Sequence, residues 1–578
     1  MQRKINIIYL LSLLAFASCD DILDKGPLDT FTNTNFWKNE GNISGYANAF
    51  YEDFTGYGNA GGQGDFYYKT LSDDQGASSF AQWTYSTAPA TSGNWKDSYV
   101  DIRRANIMIE KVTGTSMDEE SKNHWIGVAR MMRAWDYYHL VRMYGDVPYT
   151  DKALDITDEG ILYGPRNNRD EVMDKVLEDL NFACANIRDV SSKNTWSRNL
   201  AYAIKAEICL YEGTFRKYRK TEDYQTAPDM EGAKRFLKET KTAAAYIMGK
   251  NYKLGNTYQG QYNSTNLFNN SEIIFFKQYK QDIFSHSLID YTCSSTQLSG
   301  MSKDAFEAYL FTDGKPLALT SEDKSDLPKL IKKATGDVLS ITHLFKVRDK
   351  RLEQTIDSAV FYVGRGFTRF NVGMSMTSST GYGVSKYDNA DIPVNYRNQT
   401  GSNYTHAPLF WLATVYLQYA EATAELADSG GEAITQSDLD KTINLLRDRA
   451  GLPHLSLNVG FNDPANNHGV SSLIWEIRRE RRCELMFDNW CRYWDLIRWH
   501  QLDKLDSSIN PDILLGANLS ADPEITSNKD VKLKGNYMDA SRGQTRTFDK
   551  RHYWYPVPTG QITLNPQLTQ NRGWGKAD

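Results

Sequence analysis

Beyond its first nineteen residues the chain has no apolar run near the roughly twenty residues that a spanning helix needs. Cysteine is scarce. Besides Cys19 there are Cys184, Cys209, Cys293, Cys483 and Cys491, odd in number and scattered, without the spacing of a disulfide framework or a zinc site. Cys184 and Cys209 fall inside helical patterns, where packed thiols are expected. Pro-rich and Gly/Ser-rich tracts are also missing, apart from the short GYGNAGGQG at 56–64. Length alone would suggest about four domains, but no linkers separate them, so a single folded unit over 31–578 is expected. Nor is there an excess of positive charge. The 66 Lys and Arg are outnumbered by 72 Asp and Glu, for a net charge of −6, which makes nucleic acid an unsuitable partner.

The usual motifs of catalysis are absent as well: no HExxH, GxSxG, P-loop or CxxC pair occurs. Gly56-Tyr57-Gly58-Asn59-Ala60-Gly61 does spell GxGxxG. That fingerprint works only between a strand and a helix whose N-terminus meets phosphate. Here a helix-like YANAFYEDF precedes it and a Gly-rich loop follows, so a turn with glycines at positive φ is the expected reading. No EF-hand spacing is present. No cofactor or catalytic residue is therefore expected and no metal ligand is singled out, while a bound calcium stays open. A glycosidase would need two carboxylates about 5 to 10 Å apart, which sequence alone does not test.

What is present begins at the N-terminus. Gln2-Arg3-Lys4, the apolar Ile5–Phe16 and a small-residue site ending at Cys19 read as a signal peptide over 1–18. Its removal takes away two cations and no acids, leaving −8. Residues 19–30 would form a tether.

The most concentrated chemistry lies at 471–499, SSLIWEIRRERRCELMFDNWCRYWDLIRW. Leu473, Ile477 and Leu485 share a helical face, with Ile474 and Cys483 beside them. Glu476, Glu480 and Glu484 recur every four residues among Arg478, Arg479, Arg481 and Arg482. After a break at Asp488 and Asn489 come Trp490, Tyr493, Trp494 and Trp499, threaded with Arg492, Asp495 and Arg498. A solvated face would gain about 0.2 to 0.5 kcal/mol per i,i+4 pair. So much aromatic area points instead to a buried lattice of Arg forks and carboxylates, in which losing one partner costs about 3 to 5 kcal/mol. Four Arg around three Glu keep the acids ionised, so they make poor general acids.

Five further helical patterns are expected near 99–109, 125–144, 172–187, 201–215 and 229–248, with others at 410–426 and 438–449. Residues 55–95 and 250–405 read as irregular. Strand-like pieces include SEIIFFKQY and AVFYVGRGFTRFNV, and the tail from HYWYPVP reads as an extended strap.

RRERRCELMFDNWCRYWDLIRW resembles the C-terminal signature of the SusD/RagB family of outer-membrane nutrient-binding lipoproteins. RMYGDVPY at 142–149, RDKRL at 348–352, GYGVSKY at 381–387, YAEATAEL at 419–426, INLLRDRAGLP at 443–453 and the tail from YPVP to NRGW are also similar to family segments, in the family's order. The resemblance implies a mainly α fold of about four tetratricopeptide-like helix pairs, elaborated by loop-rich segments and short strands. It also implies that Cys19 is the acylated residue of a lipobox, with Phe16 in place of the usual Leu, and that Asp20-Asp21 is a surface-export signal. The localisation implied is the outer membrane at the cell surface, through a lipid anchor. The implied function is non-covalent capture of a glycan or oligosaccharide for a TonB-dependent transporter of the SusC type. A peptide ligand, a structural lid and a glycan-degrading enzyme are the rival readings.

Sugar rings present apolar C–H faces and a rim of hydroxyls, so a site needs flat aromatics beside Asp, Asn and Gln. The irregular stretch from 65 to 99 supplies both. Trp83, Phe80, Tyr85, Tyr67 and Tyr68 are its candidate stacking residues, and Asp73 and Asp74 the candidate hydroxyl partners. Trp95 and Tyr99, at the start of a helix, are expected in the core. A second candidate patch carries Tyr291 and Gln297, with Ser294 and Ser295.

Overall fold

The computed structural model describes residues 36–575 apart from 63, 67–70, 78–79, 81, 294–298, 334–335, 364–375, 398, 489–490 and 522–530. Cys19 and the signal and tether segments, with Tyr67, Tyr68 and Gln297, lie outside the described residues.

The fold is mainly helical. A short helix α1 (Glu40–Ala47) leads into a 3₁₀ turn, Asn48–Asp53. Four long helices and a fifth follow: α2 (Gly93–Thr113), α3 (Glu119–Tyr144), α4 (Arg169–Asn186), α5 (Arg198–Tyr218) and α6 (Met230–Met248). Each begins at a side chain able to take an orphan N–H: Ser92, Asp118, Asn168, Ser197 and Asp229 each accept from a backbone amide within their own first turn. These match the five patterns expected from the sequence. Each helix packs on the next, and the series continues after a long excursion with α7 (Leu412–Asp428), which lies against α6. The excursion is closed by a two-stranded antiparallel sheet of β2 (Ile273–Lys277) and β4 (Ala407–Trp411). Its two ends are thereby fixed next to the helices it interrupts.

Then come α8 (Ile443–Ala450), α9 (Ser472–Glu484) and α10 (Cys491–Arg498). Helix α9 packs on α7 and α10 on α5, so the Arg-rich pair is wedged between the N-terminal and C-terminal parts of the helical stack. Two large apolar clusters flank it. One is built from α2 to α6 with Trp494, Leu496 and the tail residues Tyr553–Val557; the other is built from the excursion, with Trp411, Ile474 and Ile477. Trp95 is buried, as expected of a core residue, whereas Tyr99 is half-buried, packs against that core from outside and donates to Pro148 O at 2.8 Å. Cys184, Cys209 and Cys483 are free and buried, and burial pushes the Cys184 thiol up to about 12. The tail is extended as expected except at the 3₁₀ turn Lys550–Tyr553, which takes in its first two residues, and at Thr559–Leu564, a single helical turn and a half that starts directly after Pro558, where the proline's missing N–H costs nothing.

The described residues of the 471–499 stretch form the buried lattice. Arg351, itself buried, reaches Asp349, Glu480 and Glu484 at 2.6, 2.6 and 2.9 Å. Arg447 adds a second fork to Glu480 at 3.1 Å. Arg498 grips Glu421 through both terminal nitrogens, at 2.6 and 2.8 Å, and Trp499 Nε1 donates to the same carboxylate at 2.8 Å. Arg481 and Arg498 share Asp495, each at 2.8 Å. Burial alone would raise the Glu480 carboxyl; Arg351 and Arg447 override it and hold it below its ordinary value. The interior therefore carries ionised pairs that a single truncation would leave uncompensated.

Candidate functional site

The two candidate loops are neighbours in the structure. Residues Gln75–Ala77 form β1, which pairs antiparallel with β3 (Ser299–Met301), Gln75 opposite Met301. Gly76 is needed here, because a Cβ would come within 2.6 Å of Ala540 Cβ. Tyr291 Oη donates to Gly61 O at 2.8 Å, joining the second patch to the glycine loop. That loop follows a 3₁₀ turn, with Gly56 and Gly58 at φ of 57° and 92° and Tyr57 buried, as the motif's context suggested and unlike a dinucleotide site.

Asp73 and Asp74 are corrections. Both are buried, and their oxygens belong to the lattice rather than to a ligand surface. Arg492 holds Asp73 at 2.6 and 2.5 Å, and Lys504 adds a contact of 2.6 Å; Arg482 Nε lies 2.7 Å from Asp74. Burial would raise Asp73, but Arg482, Arg492 and Lys504 hold it well below the carboxylate range. The loop thus spends its acids on anchoring itself to α9 and α10.

Trp83 is half-buried. Its ring stacks on His552, centroids 3.9 Å apart and planes 16° apart, and its Nε1 donates to Thr547 O at 2.8 Å. One face of the indole is thus taken by the protein itself. Phe80 is half-buried with the Arg546 guanidinium 5.4 Å from its ring centre. Tyr85 meets Tyr555 edge to face at 5.1 Å. These loop aromatics bind the loop to residues 546–555.

Tyr555 leads to a cleft that the sequence did not single out. It holds about 350 Å³ and is lined by aromatic Phe54, Trp135, Phe410, Trp494 and Tyr555, with polar Asp53, Asp65, Asn94, His139, Arg142 and Glu207 among them. Trp135, His139 and Arg142 lie on one face of α3 at i, i+4 and i+7. Phe410 comes from β4, Trp494 from α10 and Glu207 from α5, so the cleft sits where the helical stack, the closing sheet and the tail converge. Trp135 is half-buried and packs against Phe54, His139 and Phe410 at 5.5, 4.5 and 6.0 Å. Arg142 lies over Trp494 and Tyr138 at 4.4 and 4.8 Å, and its Nε has no hydrogen-bond partner. Burial raises Glu207 against the opposing pull of Arg142 and Arg481, and burial with Arg142 holds His139 neutral, well below its ordinary value. In the lattice every Arg fork meets an acid. In the cleft, flat rings stand beside Arg142 and Glu207, which form no ion pair among the described residues, the combination of ring and polar group that sugar recognition requires.

A larger groove of about 600 Å³ lies along α2. It is mostly apolar, bordered by Tyr99, Ile102, Tyr149, Leu162, Leu564 and Leu568. Val100, Leu162, Tyr163 and Leu564 are exposed on or around it. It offers little to a ring of hydroxyls.

Comparison with known proteins agrees with this architecture. Residues 245–574 match the family model described as the SusD family. The chain belongs to the SusD family. Within this SusD-family chain, residues 33–210 also match a model described as starch-binding associating with outer membrane. Two SusD-like proteins of Formosa agariphila are 25% and 24% identical over 528 and 563 residues, covering 88% and 92% of this chain and 93% and 96% of theirs. Among solved structures, a SusD-like carbohydrate-binding protein of Bacteroides fragilis superposes with a TM-score of 0.69 at 21% identity, covering 92% of this chain and all of that one. A laminarin-binding SusD-like protein gives 0.54 at 19% identity, over 93% of this chain and all of the other. The mainly helical SusD-like fold is thereby established.

Proposed function

We propose that the protein is a surface-exposed outer-membrane lipoprotein that holds a glycan non-covalently and passes it to a TonB-dependent transporter of the SusC type. The observation that carries the binding part is the cleft around Trp135, where Trp135, Phe410 and Tyr555 can cover a sugar's C–H face while Arg142, Glu207 and Asn94 meet its hydroxyls. The laminarin-binding neighbour and the starch-binding family description support a polysaccharide ligand. Trp83, Phe80, Tyr85 and Tyr291 form the adjoining loop surface and are proposed to extend contact beyond the cleft.

Native gels cast with a panel of polysaccharides test this reading. Retardation by at least one glycan is expected, with no shorter products after prolonged incubation. Absence of retardation throughout the panel contradicts glycan binding, and chain shortening would favour the enzyme reading. For the transporter, the exposed apolar groove along α2 is a suitable protein-facing surface. Copurification of a TonB-dependent barrel in mild detergent is expected, weakened by Leu564→Asp. Recovery of the lipoprotein alone, under conditions that keep other outer-membrane complexes intact, would contradict it.

A further inference from the structure

Behind the cleft, three carboxylates from three elements converge without enough positive charge to balance them. Asp53 ends the 3₁₀ turn, Asp101 lies on α2 and Asp136 on α3, and one oxygen from each lies within 4.8 Å of the others. Asp136 is only 5% exposed, and its Oδ2 has no hydrogen-bond partner. Asp53 Oδ2 is equally unpartnered. Among the described residues the one cation paired with the cluster is Arg104, one turn along α2, which contacts Asp101. Three acids and one guanidinium leave an excess of two negative charges in a place where burial makes each charge costly.

We propose that Asp53, Asp101 and Asp136 hold a divalent cation, with calcium the best fit. The donor set is oxygen only, which suits hard cations and leaves out the imidazole and thiolate ligands of zinc or copper sites. Calcium takes oxygens at about 2.3 to 2.6 Å, so ligands on opposite sides of one ion lie about 4.8 Å apart, the limit these three atoms respect. A charge of +2 cancels the cluster's excess. Asp53 also lines the cleft, so water can complete the six to eight positions that calcium prefers. The ion would tie the N-terminal turn to the first long helix pair, next to Trp135 and independently of any glycan.

Titration calorimetry on chelator-washed full chain with calcium alone is the test, together with terbium luminescence excited through tryptophan, for which neighbouring Trp135 is an antenna. One saturable site, a Tm raised by calcium and lowered again by EDTA, and a terbium signal displaced by calcium are expected. Asp136→Asn and, should that variant fold poorly, the half-buried Asp53→Asn should abolish the site. No binding and an unchanged Tm in the native chain would overturn the proposal and leave the acids sharing a proton. Calcium binding that persists in a folded Asp53→Asn or Asp136→Asn chain would place the ion elsewhere and overturn it equally. Because no glycan is used, failure here leaves the reading of the cleft untouched.

Discussion

The lattice of α9 and α10 and the cleft beside α3 use the same residue types to opposite ends. Arg498, Glu421 and Trp499 in the lattice correspond in kind to Arg142, Glu207 and Trp135 in the cleft. In the first, the guanidinium fork, the carboxylate and the indole N–H satisfy one another within 2.6 to 2.8 Å. In the second, Arg142 Nε goes without a partner, and Glu207 forms no ion pair among the described residues. Composition therefore does not distinguish a brace from a binding site; ion pairing does, since Arg478 and Arg481 keep unpartnered nitrogens in the lattice and yet each meets a carboxylate, as Arg142 does not among the described residues.

The comparison breaks most visibly at Glu421. Glu421→Ala should cost about 3 to 5 kcal/mol, because Arg498 and the Trp499 N–H are left buried without their acceptor. Denaturant unfolding measures this, and a loss below about 1 kcal/mol would mean that the lattice is more solvated than it looks. Next in size is Trp83→Ala. Its stacking on His552 and its hydrogen bond to Thr547 are together worth about 1 to 3 kcal/mol, so thermal stability should fall while glycan retention changes little. Retention lost at unchanged stability would instead make Trp83 a principal contact.

The smallest effect is one of pH. Burial, aided by Arg551, lowers His552 from 6.5 to about 4. Between those values the unfolded chain binds a proton that the folded chain refuses, so stability falls as pH drops from about 6.5 through about 4. His552→Gln should flatten that part of the Tm profile without removing it, since His124 and His406 are lowered in the same way. An unchanged slope would show that His552 is hydrated in the native state.

Much of the scaffold was legible because its periodicity is local. Val172, Val176 and Leu180, or Ile204, Ile208 and Tyr211, mark helices whose apolar faces are set within one element. The lattice was legible for the same reason, as its Glu and Arg repeat along α9. The cleft was not, because its residues come from α3, α5, β4, α10 and the tail, and each fits its own element's packing pattern. Trp135 and His139 read as ordinary helix-core positions; the signal available was Arg142 continuing that face with a charge. Asp73 and Asp74 misled in the other direction. Acids in a loop resemble turn caps or hydroxyl partners, and nothing local reveals that Arg482 and Arg492, some four hundred residues on, claim them.

The division between brace and site is tested most directly by affinity electrophoresis of Trp135→Ala against Glu421→Ala, each beside the native chain, in gels containing the retarding glycan. Removing the cleft's indole should weaken binding about tenfold, or about 1.4 kcal/mol, with the fold intact. The folded fraction of Glu421→Ala should be retarded like the native chain. Undiminished retardation of folded Trp135→Ala, or selective loss of retardation in folded Glu421→Ala, would contradict the assignment of glycan binding to the cleft.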